Sequence, residues 1–140
     1  MRHPWRIKQR TRQVVNMNNV AISLYSITCA LILLHEIESA FEREWEILRL
    51  PGKINGFLLI HIPILALMFW GFIENPKTTW GCIISIIIGI GGLLPVLVHK
   101  VIVKNSERFN RVLSNIIMYC SGISGLALIC VSIIQLQKIL

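Results

Sequence analysis

A histidine and five carboxylates crowd into the stretch from His35 to Glu46, which carries Glu36, Glu38, Glu42, Glu44 and Glu46. If one helix runs through it, at about 100° per residue, His35, Glu38, Glu42 and Glu46 fall within a sector of roughly 80° and Glu36 and Glu44 point elsewhere. Glu38, Glu42 and Glu46 then follow one another at i, i+4, where like charges repel, so a cation is expected opposite them. Two chemistries fit. Imidazoles and carboxylates from His35, Glu38, Glu46 and His61, with His99 as a further ligand, could bind a divalent metal ion such as Zn, Fe or Mn. Alternatively, with no metal, Glu38 beside His35 and His61 acts as acid and base on a lipophilic substrate. His35-x-x-Glu38 puts two ligands one turn apart, although the E-x-x-H partner motif of di-metal bundles is absent from the other helices.

The plainer reading of the same run is a solvated helix face, which suits Glu36, Glu42 and Glu44. Glu46 lies three residues from both Arg43 and Arg49, and Lys100, Lys104, Arg108 and Arg111 are available to balance the rest. His35, Glu38 and His61 resist that reading because they sit inside apolar stretches, where an ionisable group is costly and marks function by default.

Four apolar runs must position these residues, and each is near the roughly 20 residues that cross a bilayer core. The spans are read as 20–39, 54–73, 80–99 and 112–136, joined by short connections at Leu50-Pro51-Gly52, Asn75 to Thr78 and Asn105 to Asn110. Up-and-down topology brings His35, the start of the second span with His61, and the end of the third with His99 to one end of the bundle. His99 needs a tilt, or a bend at Pro95, to join the other two, and Pro63 opens the second span near His61. Ser85 and Gly89, and Ser121 and Gly125, form small faces that let helix backbones approach closely, or that pack against partner helices in a larger assembly. Cys29, Cys82, Cys120 and Cys130 show no C-x-x-C spacing and read as packing residues.

Composition agrees with lipid as the solvent. The 140 residues are 54% hydrophobic and 15% charged, with a mean hydropathy of +0.66, which excludes disorder and an ordinary soluble domain. A net charge of +7 would suggest nucleic acid in a soluble protein; here the basic residues flank spans, so membrane lipids are the expected partner and nucleic acid is not. The basic tail 1–16 ahead of the first span reads as a retained signal anchor, with the N-terminus cytoplasmic and the His/Glu pocket on the opposite side. Counted over the loops, basic residues divide evenly between the two sides, so only the first helix sets that orientation.

His35-Glu36-Ile37-Glu38, Glu44-Trp45-Glu46, Leu50-Pro51-Gly52 and His61 resemble the signature of an uncharacterised group of short bacterial four-helix membrane proteins, departing from it at Glu42, where that group carries an aromatic residue. The resemblance implies an inner-membrane location in a bacterium and transfers no reaction. A looser likeness holds to four-helix membrane isomerases with histidine and glutamate in a lipid-accessible cavity. The expectation is therefore an all-α integral membrane four-helix bundle, a single domain over 1–140, acting as an enzyme or metal-binding protein on a lipid-like substrate. The competing expectation is a non-catalytic subunit of a larger membrane assembly or homo-oligomer.

Overall fold

The structure is a computed structural model that describes residues 4–74, 78–103 and 109–140, with side chains described from Asn18 onward. The basic tail's side chains, the Asn75 to Lys77 turn, Lys104 and Arg108 lie outside the described residues. The chain is all-α, and four of its helical stretches, Asn18–Phe41, Lys53–Glu74, Thr79–Ile102 and Val112–Ile139, are long and apolar enough to cross a membrane. Helix α1 covers Pro4–Phe41, α2 is the single turn Glu44–Ile47, α3 covers Lys53–Glu74, α4 covers Thr79–Val96 and α5 covers Val112–Ile139. After Val96, α4 continues as a π-helical segment, Leu97–Ile102.

Local chemistry sets these boundaries. Thr78 caps α4 by accepting the Gly81 backbone N–H at 2.9 Å, as N-cap hydroxyls do. Helix α1 stops at Phe41, and the chain turns through Arg43 in the left-handed region, at φ 53° and ψ 52°, before α2 begins. The helix assumed to run on to Glu46 is thus broken, and the like-charge ladder is not built. A second reversal through Arg49, Gly52 and Lys53, all at positive φ, returns the chain into α3. Pro95 has no N–H to donate one turn back, and the hydrogen bonding beyond it lengthens to i→i−5, with Val103 N–H donating to the Val98 carbonyl at 2.8 Å.

Packing is tightest between α4 and α5, and α1 lies against both. A Cβ built on Gly89 would stand 2.7 Å from the Gly125 carbonyl oxygen, and one on Gly125 would stand 2.5 Å from that of Gly89, so only glycine permits the approach. The small faces are therefore used within the chain. Tyr25, Cys29, Ile32, Met68, Ile84, Ile88 and Leu128 form the apolar core. Helix α3 is the least buried span and leans on α4 and α2. It is tied to α1 by Tyr25, whose hydroxyl donates to the Met68 carbonyl at 2.8 Å and whose ring meets Phe72 edge-on at 4.9 Å. Cys29 and Cys82 are buried, whereas Cys120 and Cys130 face outward, and none of the four is in a disulfide.

Candidate metal centre

The end of the bundle where α1, α2 and α4 meet collects the ionisable groups. His35 comes from the last turns of α1, Glu44 from α2 and His99 from the π-helical end of α4. Their ligand-capable atoms all lie within 4.8 Å of one another. The three are 3%, 7% and 1% exposed, so this is an interior cluster and not a solvated acidic face. The imidazoles of His35 and His99 meet edge-on with centroids 5.2 Å apart, and His99 stacks on Phe109 at 4.0 Å. Phe109, 1% exposed, packs against both imidazoles of the cluster.

Hydrogen bonding leaves this cluster underused. His99 Nε2 lies 3.1 Å from Glu44 Oε1 but is not aligned as a hydrogen bond, and both its ring nitrogens, together with His35 Nδ1, are buried without a hydrogen-bond partner among the described residues. The Ser39 hydroxyl stands 3.4 Å from His35 Nε2. Burial alone would raise the Glu44 carboxyl, but the His99 ring, the Ser39 hydroxyl and His35 hold it below its ordinary value. The cluster therefore presents an ionised carboxylate and two imidazoles in a dry place, the donor set that borderline divalent ions select.

The remaining candidates lie elsewhere. His61 faces Glu36, with Nε2 2.5 Å from Oε2, and its Nδ1 reaches the Phe57 carbonyl at 2.6 Å. Glu46 is exposed and lies 3.6 Å from Arg43. Glu38 is on α1 outside the three-residue group, with Oε2 buried and unpartnered among the described residues. Glu42 pairs with Arg111 at 3.0 Å. Of the five ligands named from the sequence, the group thus contains His35 and His99 but not Glu38, Glu46 or His61. Glu44, read there as solvated, takes the carboxylate position because the break at Arg43 folds α2 back beneath α1. The repulsion built into a continuous Glu38–Glu42–Glu46 ladder was the available signal that the helix should stop.

Residues 21–135 match a family of unknown function, DUF6713. The chain belongs to that family. No curated protein and no solved structure matches it. DUF6713 carries no assigned activity, in keeping with an uncharacterised group, and the match spans His35, Glu44 and His99 alike. It brings no reaction to them, so the chemistry must be argued from the side chains.

Beside the cluster lies a cavity of about 450 Å³, lined by residues of α1, α2, α3 and α4. His35, Glu36, Glu44 and His61 are its ionisable lining, and the rest of the lining is apolar. The volume falls within the roughly 300–1,000 Å³ of small-molecule sites.

Proposed function

We propose that this is a multi-pass protein of a bacterial inner membrane, N-terminus cytoplasmic, that binds one divalent transition metal ion through His35, Glu44 and His99 at the non-cytoplasmic end of the bundle. The observation that carries the reading is the group of three buried ligand atoms within 4.8 Å, with ring nitrogens left unpartnered. An ion at about 2.0–2.2 Å from each ligand sets neighbouring ligands about 3.4 Å apart, so side-chain shifts of about an ångström close the site. Two histidines and one carboxylate leave a position open, as in catalytic zinc sites and non-haem iron centres. His35 and Glu44 also line the cavity, so the open position faces it and the metal would polarise an oxygen of a lipophilic molecule held there.

Elemental analysis of protein purified in detergent and remetallated with Zn²⁺ or Fe²⁺ tests this. About one ion per chain is expected in the wild type, with loss in His35→Ala, His99→Ala and Glu44→Ala and retention in His61→Ala. A wild type without stoichiometric metal, or equal loss in His61→Ala, overturns it. The subunit reading has less support, because the small faces that could have docked partner helices are filled by α4 and α5 packing on each other.

A further inference from the structure

The cavity holds a second polar group that the metal reading does not use. Phe57 O can only accept, so His61 Nδ1 carries a hydrogen toward it. The 2.5 Å contact between His61 Nε2 and Glu36 Oε2 then contains a single proton, whichever atom holds it, and the pair is neutral overall. Both imidazole nitrogens are thereby engaged. Within this pair the free hydrogen-bonding capacity is Glu36 Oε1, an acceptor with no partner among the described residues; His35, on the metal side of the same cavity, has its Nδ1 without a partner as well.

The walls show how a ligand reaches it. Ile60 on α3 and Ile87, Ile90 and Leu94 on α4 line the cavity, yet they are also half-exposed on the outer surface of the helices. In a bilayer that surface meets hydrocarbon, so the cavity opens sideways between α3 and α4. Among the described residues its lining contains no lysine or arginine, and each of its two carboxylates already faces an imidazole. With no ion in the neighbouring centre, an anionic head would have no fixed counter-charge, and a cationic head no unpaired carboxylate.

We propose that the cavity binds one uncharged long-chain or isoprenoid alcohol, which enters laterally from the bilayer and donates its hydroxyl proton to Glu36 Oε1 beside His61. This rests on the reading of the cavity as a chamber for a lipophilic substrate, and it needs no bound ion.

Tetradecanol carrying a diazirine on its chain, irradiated with the protein in phosphatidylcholine nanodiscs, provides the test. Labelling is expected to saturate, to map to α3 and α4 residues of the lining, and to be competed by tetradecanol at least tenfold better than by tetradecyl phosphate or tetradecylamine. Gly91 lines the cavity, and a Cβ there meets only Ile32 Cδ1 at 3.7 Å, so Gly91→Phe fills the chamber without striking backbone. It should cut labelling at least tenfold, Ile64→Trp should do the same from the opposite wall, and Glu36→Gln should weaken competition severalfold. Unsaturable labelling spread over the outer surface, equal competition by the phosphate or the amine, or full labelling in both filled variants overturns the proposal. Repeating the assay on chelator-treated protein separates the two readings. Saturable labelling without stoichiometric metal sinks only the metal site, and stoichiometric metal with unsaturable labelling sinks only this one.

Discussion

Ser39 is fully buried one turn beyond His35, and its hydroxyl stands 3.4 Å from His35 Nε2. A hydroxyl in that place holds the imidazole in one orientation. Outer groups of this kind are worth about 10–100-fold in metal affinity. Ser39→Ala should therefore weaken Zn²⁺ or Fe²⁺ binding by that factor, measured by competition with a chelator, while leaving the helical circular dichroism unchanged. Unaltered affinity would mean that His35 is oriented by packing alone. The Arg43–Glu46 contact is of a different kind. It is 3.6 Å long with side chains 68% and 47% exposed, so it contributes about 0–1 kcal/mol and positions nothing.

Two irregular elements assemble the centre, and both resist reading from sequence. The four spans were legible because hydropathy is set by composition over some 20 residues, and the meeting of His35 with His99 followed from up-and-down topology once a bend was allowed at Pro95. Glu44 was not legible, because its position depends on one backbone conformation at Arg43, and arginine gives no signal for the left-handed region that it adopts. A left-handed residue with a Cβ costs about 1–2 kcal/mol, more than the exposed Arg43–Glu46 pair returns. Arg43→Gly should accordingly raise stability by about 1 kcal/mol and keep metal binding, whereas Arg43→Val should lose both, read by denaturant titration and metal stoichiometry. His99 depends similarly on the π-helical turn after Pro95. Pro95→Ala restores the missing N–H, lets α4 continue as an ordinary helix and rotates His99 out of register. Metal affinity should fall at least tenfold with stability equal or higher. Metal affinity that follows stability instead would show that the π turn does not set the register.

At the scale of the molecule, α1, α4 and α5 form a close-packed unit and α3 completes the cavity from outside it. The α4–α5 approach is backbone against backbone, so Gly125→Ala should destabilise by about 1–3 kcal/mol, the range for overpacking, while Gly91→Ala, whose Cβ would make only an ordinary contact with Ile32, should be silent. Unfolding from micelles measures both, and equal losses would contradict the packing described. The small faces were legible as such, but not their partner, since a Ser/Gly face looks the same whether its mate lies in the same chain or another. The division of ligands among α1, α2 and α4 also bears on how the protein is made. Chains emerge from the ribosome N-terminus first, and membrane helices insert before they pack. His35 and Glu44 therefore reach the bilayer as an incomplete pair, and coordination becomes possible only when the third span has inserted and docked. A captured ion would mark a nascent chain as correctly assembled, and a truncated one would leave its histidine and glutamate exposed to quality control.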